Sequence, residues 1–202
     1  MLLRLLSHDL PRNRALALVL VLVVAGLALA PFWLPGSKAL AVAAKVLVFV
    51  LLVASYDLLL GYTGIVSFAH TMFFGVGAYG VAIASTRLGE GWGALALGTA
   101  AALAVSLVLS LVIGLFSLRV KAIFFAMITL AVAAAFQTLA SQLSDLTGGE
   151  DGLTFKNPAA QSPSFEFSLA GFALDGRHLS YWLLFVVVLA LFLATLRIVN
   201  SP

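Results

Sequence analysis

Ser67, His70 and Thr71 lie close together in the stretch GYTGIVSFAHTMFFGVGAYG at 61–80, and a Ser beside a His invites a reading as nucleophile and base. The surroundings do not complete that chemistry. There is no nucleophile-elbow sequence, no HExxH and no paired intramembrane carboxylate. No GxxxxGK[ST] loop is present to cradle a nucleotide, so any ATP chemistry must belong to another chain. The catalytic set is therefore empty and the chain is expected not to be an enzyme. A metal centre is equally unsupported, because the chain has no Cys and its 3 His residues do not stand at ligand spacing. What remains is hydrogen-bonding chemistry inside an apolar segment, directed at a neighbouring helix or at a solute.

The elements that must position these groups follow from composition. Hydrophobic residues make up 63% of the chain and charged residues 9%, against roughly 45–50% and about 25% in soluble domains. Mean hydropathy is +1.16. This is the composition of an integral membrane protein. The net charge of +3 does not point to nucleic acid, since the 11 basic residues are scattered without aromatic partners.

A helix of about 20 residues crosses a hydrocarbon core of about 30 Å. Six stretches qualify, near 15–34, 39–60, 65–85, 93–117, 122–143 and 179–199, with the third rich in Gly or broken. The apolar runs are continuous and do not alternate as barrel strands do. The expected fold is all-α and polytopic, one transmembrane domain over 1–202 with no separate soluble domain. The N-terminal run ALALVLVLVVAGLALA, with Arg4, Arg12 and Arg14 before it, imitates a secretory signal, but its length and Pro31 favour a retained span.

Basic residues set the orientation. With the N-terminus in the cytoplasm, Arg4, Arg12, Arg14, Arg119, Lys121 and Arg197 lie inside, while Lys38, Arg87, Lys156 and Arg177 lie outside. The segment 144–178 then becomes an extracytoplasmic loop, and its Phe155, Phe165, Phe167 and Phe172 argue against simple disorder.

Two faces carry the polar residues. In the third span Ser67, Thr71, Gly75, Ala78 and Ala82 share one helical face; in the fifth, Ala122, Ala126, Thr129, Ala133, Gln137 and Ser141 do. Taken alone, each is a packing seam between helices. The cluster Gly61, Gly64, Gly75, Gly77 and Gly80 adds a signal for a broken or closely packed helix beside a cavity. His70 stands at the edge of the first face. Lys45 and Asp57 are drawn into the second span, about 18 Å apart along a helix, too far for an ion pair. Lys45 is placed to snorkel, and Asp57 to cap the turn before Gly61.

YDLLLGYTGIVSFAHTMFFGVGAYG, FFAMITLAVA and LTGGEDGL, in that order over roughly residues 50–155, resemble the permease family of ABC importers for branched-chain amino acids and related solutes. The resemblance places Gly61, Gly64, Ser67, His70, Phe73 or Phe74, Gly77, Ala78 and Tyr79 around a translocation path. Thr129, Leu130 and Ala131 fall in a later span. Thr147, Gly148, Gly149, Gly152 and Leu153 fall in an outer turn. Ala134 stands where the family often has a Gln, and Gln137 follows a turn later.

The resemblance implies a bacterial inner-membrane permease subunit without cofactors of its own. Its partners are a second permease, two cytoplasmic ATPases that bind ATP and Mg, and a periplasmic solute-binding protein. It also implies that the chain continues past RIVNSP into a basic cytoplasmic segment and further spans. Two alternatives remain at this point. One is a proton-coupled secondary transporter using His70 or Asp57 as relay, and the other is a non-transporting membrane assembly protein whose small-residue faces bind partner helices.

Overall fold

A computed structural model describes residues 14–33, 36–117, 120–155, 158–162, 165–169 and 172–199. The elements in chain order are α1 (Arg14–Ala28), α2 (Ala30–Trp33), α3 (Ser37–Asp57), a π-helical turn (Leu58–Thr63), α4 (His70–Leu88), α5 (Trp92–Ser117), α6 (Ala122–Gln142) and α7 (Ser144–Thr147). A 3₁₀ turn (Ala159–Gln161), the strands β1 (Glu166–Leu169) and β2 (Phe172–Asp175) and the helix α8 (Gly176–Val199) follow. Arg4, Arg12, Arg119 and Lys156, used above for orientation, lie outside the described residues.

Among the described residues four stretches are long and apolar enough to cross a membrane: Ser37–Thr63, Trp92–Phe116, Ala122–Gln142 and Gly176–Val199. At about 1.5 Å per residue they measure roughly 32–40 Å, enough for the hydrocarbon core. The chain is a multi-pass membrane protein. Two of the six expected spans fall short of that test among the described residues. The first is the 15-residue α1. The third is α4, which has 19 residues but dilutes its apolar ones with Gly, Ser, Thr and His. Exposed residues such as Phe49, Leu103 and Ile123 would be intolerable in water and are ordinary against lipid.

The chain divides into two compact units, Met1–Leu58 with Ala160–Pro202, and Leu59–Ala159. In the first, Leu40, Ala43 and Leu47 recur at helical spacing on α3 and bury against Tyr181 and Val188 of α8. Its most informative joint lies where α1 stops. Pro31 has no N–H, so the Leu27 carbonyl loses its usual donor four residues on. The Phe32 N–H turns to the Leu29 carbonyl at 2.9 Å, which also frees the Ala28 carbonyl. Two adjacent aromatics of α8 replace the missing donors: the Tyr181 hydroxyl donates to Leu27 O at 2.6 Å and Trp182 Nε1 to Ala28 O at 3.4 Å. Trp182 also packs on Phe32 with ring centroids 5.7 Å apart.

Part of the expected 144–178 loop is folded. It holds α7, the 3₁₀ turn and an antiparallel hairpin pairing Glu166 with Asp175 and Leu169 with Phe172. The α8 helix begins at Gly176, where a Cβ would strike the Ser162 carbonyl, and the Asp175 N–H donates to His178 Nδ1 at 3.0 Å.

The second unit is organised by an α4–α5 hairpin with α6 laid against it. Apolar side chains fill one end, where Ala69, Met72 and Val76 pack on Ile113 with Phe136 of α6 alongside. Near the α4–α5 turn the backbones nearly touch. A Cβ added to Gly80 would lie 2.7 Å from Ala102 Cβ, and one added to Gly98 would lie 2.8 Å from the Gly80 carbonyl oxygen. Gly80 and Ala84 on α4 thus face Gly98 and Ala102 on α5, each pair four residues apart, the spacing that lets membrane helices approach closely.

Candidate functional site

The site is built around an interruption. The chain leaves α3 through the π-helical turn Leu58–Thr63, whose wide winding carries the Ile65 N–H back to Leu59 O at 3.3 Å. Gly64 then takes φ +67°, a left-handed conformation that ends the helix and that a residue with a Cβ adopts only with strain. Helical structure resumes at His70 rather than at Ile65. Residues 64–69 are therefore non-helical backbone, and in a membrane such backbone must find partners inside the protein.

Three hydroxyls supply them. Thr129 of α6 is fully buried, and its Oγ1 accepts from the Phe68 N–H at 3.1 Å while donating to Ala126 O at 3.0 Å. Ser67, also buried, accepts from the Ala69 N–H at 3.3 Å. Thr71 donates to Phe68 O at 3.1 Å. The first turn of α4 carries His70 and Thr71 but no acidic side chain, so the partial positive charge of its N-terminus is not neutralised there. An apolar cleft of about 350 Å³ runs beside the interruption, lined by Gly64, Val66, Phe68, Ala126 and Leu130 among others.

Thr129 and Ser67 serve the adjacent N–H groups of Phe68 and Ala69, and α4 starts at the next residue, His70. Gly75 lies against α6, where a Cβ would come 3.1 Å from Phe136 Cε1, whereas a Cβ on Gly77 would meet nothing within 4 Å. The single face expected on the third span is divided: Ser67 precedes the helix, Thr71 and Ala78 are exposed, and the buried face of α4 is Met72, Val76, Ala82 and Ser85. Gly61, Gly64 and Gln137 are exposed, and Tyr79 is half-buried. Lys45 and Asp57 are exposed on α3 in the other unit.

The residues of the expected outer turn gather on Thr147. Its buried hydroxyl donates toward Ala140 O and Leu143 O, at 2.5 and 2.8 Å, and accepts from the Gly149 N–H at 3.3 Å. Gly148, Gly149 and Gly152 all have positive φ, and a Cβ on Gly148 would strike the Gly152 carbonyl. TGGEDG is thus a turn whose glycines are required by its backbone. Sequence reasoning missed Gly98 and Ala102, although the Gly-xxx-Ala spacing shared with Gly80 and Ala84 was visible.

A family model described as branched-chain amino acid transport system / permease component matches residues 38–201. Comparison with curated proteins gives no match, and comparison with solved structures gives none.

Proposed function

The chain belongs to the family of branched-chain amino acid transport permease components, and on that premise we propose that it is the membrane-spanning subunit of an ATP-driven importer. Its cargo is branched-chain amino acids or small organic solutes related to them, moved inward across a bacterial inner membrane with the N-terminus of the chain in the cytoplasm. The observation that carries the reading is the interrupted helix at 64–69. Transporters place solutes at such breaks, where half-helix ends and unwound backbone offer charge and hydrogen bonds. Here the uncompensated N-terminus of α4 suits an amino acid carboxylate. Ser67, His70 and Thr71 stand beside it, with Gly61, Gly64, Gly75, Gly77, Tyr79, Thr129 and Gln137 forming the wall or seam of the path.

The chain performs no ATP chemistry in this reading. A second permease completes the path, a periplasmic binding protein delivers the solute, and two cytoplasmic ATPases hold ATP and Mg. Nucleotide turnover in those partners biases two packings of the helices, and the solute contacts differ between them.

The test is uptake of radiolabelled leucine by proteoliposomes holding the assembled transporter. Uptake should require ATP on the cytoplasmic side, survive a protonophore, and be lost in Ser67→Leu with membrane insertion intact. Uptake that ignores ATP and collapses with the protonophore would replace this reading by the proton-coupled one.

A further inference from the structure

Within the second unit a groove of about 510 Å³ runs between α4, α5 and α6 and presents almost no polar atom. Val76 and Phe136 line one end, and Arg87, Leu88 and Leu146 the other. From Val76 to Leu88 the groove follows α4 for about 18 Å at 1.5 Å per residue, close to one leaflet's share of a hydrocarbon core of about 30 Å. Among the described residues lining it, Arg87 is the one that carries a charge. It is exposed in the last turn of α4, beside the short turn that leads to the half-exposed Trp92. An Arg and a Trp at the end of a span mark the headgroup level. Thr147, which also lines the groove, already spends its hydroxyl on backbone carbonyls and so leaves the wall apolar.

We propose that this groove holds one acyl chain of an anionic phospholipid, with the lipid phosphate paired to the Arg87 guanidinium. Guanidinium and phosphate match in geometry and charge, and among the described residues no acidic side chain lines the groove to compete. A narrow apolar channel about one leaflet long with a guanidinium at its headgroup end matches a lipid, whose tail and phosphate stand in that order.

The test uses the full-length protein in mild detergent, titrated with phosphatidylglycerol or phosphatidylcholine of the same acyl chains and read by native mass spectrometry. The wild type should retain one phosphatidylglycerol per chain and prefer it to phosphatidylcholine. Arg87→Gln should weaken phosphatidylglycerol binding about tenfold and leave phosphatidylcholine unchanged. Ala101→Phe, which fills the groove from α5, should weaken both while eluting as a single folded species. Equal retention of the two lipids by the wild type, undiminished phosphatidylglycerol binding in Arg87→Gln, or full lipid occupancy in Ala101→Phe would each overturn the assignment. So would loss of a partner subunit from Ala101→Phe with lipid binding intact, which would make the occupant a helix.

Discussion

Replacing Thr129 with Val removes one oxygen at the joint between α6 and the helix interruption and almost nothing else. Val has the same shape and keeps the β-branched side chain, so α6 itself is little affected. The Ala126 carbonyl loses only a second donor, since it already accepts within the helix. The Phe68 N–H, by contrast, loses its acceptor at a site where Thr129 is 0% exposed. Leaving such a donor unpaired costs about 1–3 kcal/mol. That cost falls on the 64–69 segment, so its local opening should become about 5- to 150-fold more frequent. Hydrogen exchange read by mass spectrometry on peptides covering Phe68 measures this directly, with peptides from the Gly80–Gly98 crossing as an internal control. Thr129→Ser keeps the oxygen and should retain most of the protection, and leucine uptake should follow the same order. Unchanged exchange at Phe68 in Thr129→Val would refute the claim that this hydroxyl holds the interruption in place.

Tyr181→Phe should lower stability toward denaturing detergent by about 1–3 kcal/mol by abandoning the Leu27 carbonyl. In a Pro31→Ala background the restored N–H takes over that carbonyl, so the double-mutant cycle should show a smaller loss. Gly98→Ala forces two backbones apart and should lower the melting temperature, at a cost of about 1–3 kcal/mol, whereas Gly77→Ala has open space and should melt like the wild type. Gly148→Ala should be at least as damaging to the Thr147 turn, because it combines positive φ with a collision at the Gly152 carbonyl; limited proteolysis of that turn would report it.

The membrane class, the apolar helices and the presence of a break near Gly61–Gly64 were all legible in the residues, because composition and continuous apolar runs report directly on solvent. The extent of the break was not. Leu58, Leu59 and Leu60 favour helix, and the π turn carries the winding on to Thr63 before the backbone of Gly64 ends it. Reading Ser67 onto a helical face failed for that reason: regular periodicity was carried across residues that are not helical. The faces of α4 were misread because small residues were taken as the buried stripe, whereas Met72 and Val76 fill the wide end of the hairpin. Thr129 stood out as polar in an apolar run, but its partner, a backbone N–H 61 residues away, is a tertiary fact. The 166–175 hairpin showed only as a scatter of aromatics.

The joint between α1 and α8 also constrains the order in which the protein can be made. Tyr181 and Trp182 lie 154 residues after the carbonyls they serve. At a ribosomal rate of roughly 5–20 residues per second that separation is a delay of roughly 8–30 s. Throughout it the emerging α1 ends in two carbonyls that lipid cannot solvate. The Gly80–Gly98 hairpin, drawn from consecutive helices, suffers no such wait. Newly synthesised chains should therefore hold α1 at the water interface, or against the insertion machinery, until the last described helix arrives.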